Sequence, residues 1–197
     1  MTLKTYSQNC GLASALDVVG ERWSLLIVRT LLVGPARFNE IQAQLPGIGT
    51  NLLAARLKYL ARWGLVEKQT GRQGSYRLTE KGYSLRPILH QLARWGREFV
   101  PATGIENHPW WSMFNIESAF RPERADGLDA VIEFEMAESE FHLVIRKNTC
   151  RVAAGPALSA DVIVKSDSPS IFVGGGSRLQ ITGDSAMFDR VRPCFDL

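Results

Sequence analysis

Hydrophobic residues recur at helical spacing through the first hundred positions of the chain. A short segment, Phe38 to Leu45, ends at a break rich in Pro and Gly, and a longer segment, Thr50 to Trp63, follows it. Leucines repeat at intervals of three and four residues along the longer segment, the spacing of one helix face. Gly64 is the residue type that commonly ends a helix. The pattern predicts two helices joined by a tight turn, a helix-turn-helix.

Two short strands are predicted directly after the second helix. Residues 65–70 and 75–78 flank the turn Gly71-Arg72-Gln73-Gly74, which gives a hairpin with a basic tip. Two helices and a turn occur in many folds that never touch DNA. A hairpin in this position is a wing, and helix, turn, helix and basic wing together favour a winged helix-turn-helix domain that binds double-stranded DNA.

The candidate DNA contacts follow from this arrangement. The first turn of the second helix enters the major groove, and a wing tip lies along phosphates. Side chains there are small, hydrogen-bonding or basic: Arg37, Thr50, Asn51, Ala54, Arg56, Lys58, Arg72, Gln73 and Ser75. Arg56 and Lys58 are predicted on the outward flank of the helix. For Arg37, at the entry to the motif, a solvated surface arginine is the alternative.

Charge divides the chain into two halves. Residues 1–104 contain 14 Lys and Arg against 6 Asp and Glu, net +8, and residues 105–197 contain 9 against 14, net −5. The basic half is expected to bind a polyanion, and the acidic half to have a different function. Pro101 to Gly104 is the predicted boundary between a domain of residues 1–104 and one of residues 105–197.

Several separate motifs in the first half occur in a fixed order: Cys10, Leu16-Asp17-Val18-Val19-Gly20-Glu21-Arg22-Trp23, Leu25-Leu26-Ile27, Gly34-Pro35-Ala36-Arg37-Phe38-Asn39-Glu40-Ile41 and Leu78-Thr79-Glu80-Lys81-Gly82. In this order they resemble the HxlR family of bacterial winged-helix regulators, over roughly residues 8–100. The resemblance implies a homodimeric DNA-binding regulator. In some members a cysteine at the position of Cys10 acts as a redox switch, which makes Cys10 a redox candidate; an inert, half-buried thiol is the favoured alternative.

A long apolar pattern follows the wing. Thr79 is a predicted N-cap, and large apolar residues continue at helical spacing to about Val100, with Pro87 expected to kink the helix or mark a restart. This surface exceeds what one small domain needs to cover. We therefore predict dimerisation through this helix and the first one, Cys10 to Gly20. The competing interpretation packs the same face on the C-terminal half.

The second half alternates with a period of two, which is typical of strands. Residues 130–136 and 141–146 predict a hairpin, further strands are expected at 150–153, 160–165 and 179–182, and helices at 168–172 and after Gly183-Asp184. The predicted fold class is thus α+β. Asp161 to Val164, Ser168 to Phe172 and Leu179 to Asp184 resemble the sterol-carrier-protein fold, over about residues 106–195.

That resemblance implies an apolar cavity between sheet and helices, and hence a domain that senses an apolar small-molecule effector. The lining candidates are large and apolar: Phe134, Met136, Phe141, Leu143, Phe172, Met187 and Phe188. The alternative is that these residues fill a solid core.

Chemistry of other kinds is not indicated. The three histidines stand alone, no serine nucleophile motif occurs, and Gly174-Gly175-Gly176 lacks the spacing of a phosphate loop. Three widely spaced cysteines suggest neither a disulfide framework nor a metal site. We expect no enzyme activity, no cofactor, no membrane segment and a cytoplasmic location. Two functions remain: a DNA-binding transcriptional regulator, or a lipid-carrier or protein-interaction module whose winged helix mainly dimerises.

Overall fold

The computed structural model describes residues 5–69, 74–101, 108–136, 138–166 and 179–196. The chain divides into two compact units, Met1–Leu89 and His90–Leu197. This division falls ahead of the predicted boundary at Pro101 to Gly104, most of which lies outside the described residues. Within the described part, no helix combines the length and the apolar character needed to cross a membrane.

The first unit is a winged helix-turn-helix. Its elements in chain order are α1 (Gly11–Val19), α2 (Ser24–Val33), α3 (Phe38–Ala43), α4 (Thr50–Arg62), β1 (Val66–Lys68), β2 (Tyr76–Leu78), α5 (Glu80–Tyr83) and the start of α6 (Arg86–Gly96). The leucine stripe of α4 is fully buried, as the spacing predicts. Gly64 takes φ +68° and ends the helix: its N–H donates to Ala61 O and that of Leu65 to Leu60 O, both at 3.0 Å.

The wing is attached to the entry of the helix-turn-helix. β1 and β2 pair antiparallel, with Val66 opposite Leu78. Ala36, just ahead of α3, exchanges two backbone hydrogen bonds with Tyr76 of β2, at 3.0 and 2.8 Å. The predicted order of helix, turn, helix and hairpin is confirmed. Residues 70–73, which include the predicted wing-tip residues Arg72 and Gln73, lie outside the described residues.

The helical pattern after the wing is interrupted as expected. The Thr79 hydroxyl accepts the Gly82 N–H at 3.1 Å, which confirms it as an N-cap. α5 ends at Tyr83, and α6 restarts at Arg86 with Pro87 in its first turn, where a missing N–H costs nothing. A 3-10 turn, Arg97–Phe99, follows α6 directly.

The second unit is α+β. After the second half of α6 come α7 (Pro109–Ala119), β3 (Ala130–Met136), β4 (Ser139–Arg146), β5 (Thr149–Ala154), β6 (Val162–Ser166), β7 (Leu179–Gly183) and α8 (Ser185–Val191), with 3-10 turns at Pro122–Arg124 and Arg192–Cys194. The described strands form a sheet in the order β5-β4-β3-β6-β7, in which β3 and β6 run parallel and the other neighbours antiparallel.

One face of this sheet is the core of the unit. Every second residue of β3 is buried, and Phe134 stands opposite Phe141 of β4, which confirms the predicted alternation. α7 contacts β5, and α8 contacts β3 and β6. Asp184 caps α8 by accepting the Met187 N–H at 2.9 Å, as predicted. Residues 167–178, where a further helix and the glycine run were predicted, lie outside the described residues.

Candidate DNA-binding surface

The turn between α3 and α4 is held in one shape by its own side chains. Leu45 and Ile48 are buried beneath it, and Gly47 adopts φ +90°, a conformation that disfavours other residues. The Gln42 amide nitrogen donates to Ile48 O at 3.4 Å and reaches Thr50 Oγ1 at 3.2 Å. These contacts fix the direction in which α4 leaves the turn.

The exposed side of α4 carries small and polar residues. Thr50, Asn51, Ala54 and Lys58 are all exposed, so four predicted contacts share the water-facing side of one helix. The N-cap is Gly49, which has no side chain to bind the first N–H groups, and the first turn contains no acidic residue. The positive end of the helix is therefore open to an anion such as phosphate.

Arg56 was predicted on this outward flank, and that placement is wrong. Its side chain is only 13% exposed, and its guanidinium Nη2 lies 2.8 Å from the Glu21 carboxylate in the corner between α1 and α2. The helical period explains the difference. Arg56 is three residues from Leu53 and four from Leu60, both buried, whereas Lys58 is four residues from the exposed Ala54.

Ser75 is also misplaced as a DNA contact. It is buried, and its hydroxyl donates to Gln69 Oε1 at 2.8 Å while its carbonyl accepts the Gln69 N–H at 2.8 Å. These bonds close the hairpin, so Ser75 supports the wing from inside. Arg37 remains exposed at the entry to α3, where its backbone N–H donates to the Glu40 carboxylate at 2.6 Å.

A basic residue of the wing was missed by sequence reasoning. Lys68 of β1 is exposed, and its ammonium lies 5.9 Å from the centre of the Tyr76 ring on the neighbouring strand. A cation over an aromatic face is held by the ring quadrupole while it stays available to solvent. The signal that could have found it is the pairing of two adjacent strands, because Lys68 and Tyr76 are register partners.

Comparison with known proteins places this surface in a family. The family model described as HxlR-like helix-turn-helix matches residues 18–103. An uncharacterised HTH-type transcriptional regulator of Bacillus subtilis, YvaP, is 40% identical over 96 residues, which covers 47% of this chain and 89% of that protein. The chain belongs to the HxlR family. It is accordingly a DNA-binding transcriptional regulator with a winged helix-turn-helix in its N-terminal half.

A second similar protein has a crystal structure. The HTH-type transcriptional regulator YodB of Bacillus subtilis is 39% identical over 90 residues, covering 44% of this chain and 80% of YodB. The crystal structure of quinone-bound YodB matches with 39% identity and a TM-score of 0.41, covering 45% of this chain and 97% of that one. The names of both relatives describe regulators and no catalytic activity. The family match ends at residue 103, so the sheet of the second unit lies outside it.

The structure brings together most of the predicted effector-binding residues of the second unit. Phe134, Met136, Phe141, Leu143 and Phe188 are buried, Met187 is half-buried, and Phe172 lies outside the described residues. One aromatic neighbour was missed. Trp110, at the start of α7, meets the Phe141 ring edge-on with centroids 5.7 Å apart. The apolar cluster around Trp110 suits packing on a sheet, but the local pattern does not identify Phe141, which lies on a strand far along the chain.

The cysteines differ in exposure. Cys10, the N-cap of α1, is exposed, and the nearby N–H groups of Ala13 and Leu12 lower the pKa of its thiol. Cys150 and Cys194 are buried, and burial raises the pKa of the Cys194 thiol. The exposure of Cys10 contradicts the alternative expectation that its thiol is half-buried. A redox role for Cys10 stays a prediction. In the described ranges, no three His, Cys, Asp or Glu side chains lie close enough to hold a metal ion.

Proposed function

We propose that this regulator binds a near-palindromic operator as a homodimer, with the exposed start of α4 in the major groove. The observation that carries the proposal is the exposed row of Thr50, Asn51, Ala54 and Lys58 beside an uncapped helix end. Asn51 has the amide that pairs with adenine edges, and Lys58 suits a phosphate. Arg37 and the wing add backbone contacts. Residues 1–104 thus form the proposed DNA-binding and dimerisation domain.

An exposed apolar stripe along α6 and the 3-10 turn that follows it supports the homodimer. Ile88, Leu92, Trp95 and Phe99 follow one another at intervals of four, three and four residues, and they are between 46% and 63% exposed. A stripe of this size in water is typical of a protein–protein contact. The opposite side of α6 packs within the second unit: the His90 ring lies 5.4 Å from that of Phe114. The exposed stripe therefore favours a second copy as its partner.

The first helix adds a smaller apolar surface. Leu12 and Leu16 of α1 are four residues apart and both exposed. We propose that they join the dimer contact. Two copies related by a twofold axis would then present their α4 helices to successive major grooves, about 34 Å apart, which is why a near-palindrome is proposed.

For residues 105–197 we propose a sterol-carrier-type domain that binds an apolar small molecule. Support comes from a five-stranded sheet whose apolar face, which includes Phe134, Phe141 and Leu143, is contacted by α8 at β3 and β6. Trp110 extends that apolar face at Phe141. Such a ligand would shift the population of DNA-competent dimer by its different affinity for the two states.

A second candidate function places the main activity in the sheet domain, which would be a lipid carrier or a protein-interaction module. The winged helix would then serve mainly to dimerise. The split of charge between the halves, +8 against −5, favours the regulator. The test is a titration of the full chain with the promoter fragment next to its own gene and with a random duplex of equal length, at two salt concentrations. We expect tighter binding to the promoter and weaker binding at higher salt. Equal affinity for both duplexes would favour the second candidate.

A further inference from the structure

The corner between α1 and α2, residues 17–23, contacts α4, the helix that is proposed to read DNA. We infer that this corner positions α4, and that Arg56 and Glu21 are positioning residues for DNA recognition. The inference rests on the proposed function of α4. It assigns Arg56 a role unlike the phosphate contact that its charge suggests.

The first contact is the ion pair itself. Arg56 Nη2 lies 2.8 Å from Glu21 Oε2, and the arginine side chain is 13% exposed while the glutamate is 59% exposed. The Arg56 side chain is thus largely buried, and its guanidinium faces Glu21 in the corner. Among the described residues, no acceptor lies within hydrogen-bonding distance of its Nε. A phosphate would have to compete with Glu21 for a guanidinium that is largely withdrawn from solvent.

A hydrogen bond makes the second contact. The hydroxyl of Tyr59, three residues after Arg56 on α4, donates to the Asp17 carbonyl at 2.7 Å. Residues three apart share one side of a helix. Both side chains therefore hold α4 from the same side, and both attach to the same short segment of the chain.

The third contact reaches the turn of the helix-turn-helix. Trp23 has φ +81°, a left-handed conformation that is rare for a bulky residue, and the structure around it must hold it there. Its Cη2 atom lies 3.8 Å from where the Cβ of a larger residue at Gly47 would stand, so the ring lies beside the turn. The corner thus bonds to the middle of α4 and lies beside the turn that starts it.

These contacts fix the rotation of α4 about its axis. Arg56 and Tyr59 lie to one side, and Asn51 and Lys58 are exposed on another. A helix that rolls by a few degrees moves Asn51 away from the base edge, where a bidentate hydrogen bond is directional, while contacts between charges and phosphates tolerate the movement. Loss of the corner contacts should therefore reduce sequence preference more than it reduces affinity for DNA in general.

The test compares Glu21→Gln, Arg56→Gln, the double variant and the exchanged pair Glu21→Arg with Arg56→Glu. Affinities of the full chain for operator and random duplex are measured over a range of salt, at a temperature well below unfolding of each variant. We expect each single variant to lower the operator-to-random ratio about tenfold, and the double variant to be no worse than either. The dependence of DNA affinity on salt concentration should stay unchanged. The exchanged pair should restore part of the lost preference for operator over random duplex.

One result would overturn the inference directly. If Arg56 contacts phosphate, Arg56→Gln weakens binding to every sequence and reduces the salt slope by about one, while Glu21→Gln leaves binding equal or tighter. Arg62→Gln is the matched control, because it removes the same charge from an exposed position of α4 and should leave the ratio unchanged.

Asn51→Ala separates this inference from the proposed function. If Asn51→Ala lowers the ratio and the variants of the pair do not, the corner has no positioning role although α4 reads DNA. If none of the variants changes the ratio, both the reading role of α4 and the positioning role of the corner are wrong.

Discussion

α4 and α6 are amphipathic helices of similar length that leave opposite kinds of surface in water. α4 buries Leu53, Leu57 and Leu60 and exposes Thr50, Asn51 and Lys58. α6 buries Leu89 and exposes a stripe that contains Leu92 and Trp95. An exposed polar side is stable in water and ready to meet a polyanion, whereas an exposed apolar side gains free energy when another protein covers it. The difference supports the proposal that α4 reads DNA and that α6 pairs two copies.

The largest predicted effect is on pairing. Trp95→Glu places a charge in the centre of the α6 stripe, where a second copy would have to bury it. We expect the dimer to dissociate and operator affinity to fall by about a hundredfold or more, because one half-site alone no longer gains from its neighbour. Light scattering after gel filtration gives the mass, and fluorescence anisotropy gives the affinity.

The matched control for this experiment is Trp63→Glu. It makes the same exchange at an exposed tryptophan at the end of α4 and should leave the mass of the protein unchanged. A Trp95→Glu protein with the mass of the wild type would show that α6 does not form the dimer contact.

The next effect concerns the polar side of α4. Asn51→Ala should cost about 1–3 kcal/mol of discrimination between operator and random DNA, because it removes a directional contact to a base edge. Lys58→Gln should instead weaken binding to all sequences and reduce the salt slope by about one. Lys147→Gln, in a turn of the second unit, serves as the control for loss of one cation. If Asn51→Ala and Lys58→Gln change the discrimination and the salt slope in the same way, the distinction between a base contact and a phosphate contact is wrong.

A smaller effect is expected at Cys10, at the start of α1. The N–H groups of Ala13 and Leu12 lower the pKa of Cys10 below its ordinary value of 9.0. Alkylation of Cys10, followed by mass spectrometry of its peptide, should therefore reach half its maximal rate below pH 9.0. Cys194, buried and with a raised pKa, is the internal comparison. A Cys10 profile at or above pH 9.0 would remove the basis for a reactive thiol.

The smallest effect is at Asp196, in the second unit. The Asp196 carboxylate accepts hydrogen bonds from Arg121 at 2.5 Å and Arg124 at 2.7 Å, which lower its pKa below its ordinary value of 3.8, and Arg97 donates to its carbonyl. A carboxyl whose pKa is lower in the folded chain stabilises the fold above the unfolded value and loses that contribution as pH falls.

Asp196→Asn should therefore lower the urea midpoint slightly at pH 7, and the difference from wild type should shrink as the pH falls below 3.8. Glu138→Gln removes an exposed carboxylate elsewhere in the second unit and is the control. A difference that stays constant with pH would mean that the amide disturbs packing and that the ion pairs contribute nothing.

Local periodicity explains which parts of the fold could be predicted. The stripe of α4, the restart at Pro87 and the alternation of β3 each depend on residues within one element, so the sequence contains the whole signal. The low exposure of Arg56 also follows from the period of α4, but its partner Glu21, 35 positions away in another element, does not. Phe141 likewise becomes the partner of Trp110 only once helix and sheet have packed. Contacts between distant elements leave no periodic trace, so neither partner could be predicted.

The central claim is that two copies of α4 read successive major grooves of one operator. Hydroxyl-radical footprinting of the full chain on the promoter next to its own gene tests it most directly. We predict two protected patches whose centres lie about 10 base pairs apart, both lost in Trp95→Glu at the same protein concentration. A single protected patch, or two patches that survive in a monomeric Trp95→Glu protein, would contradict the claim.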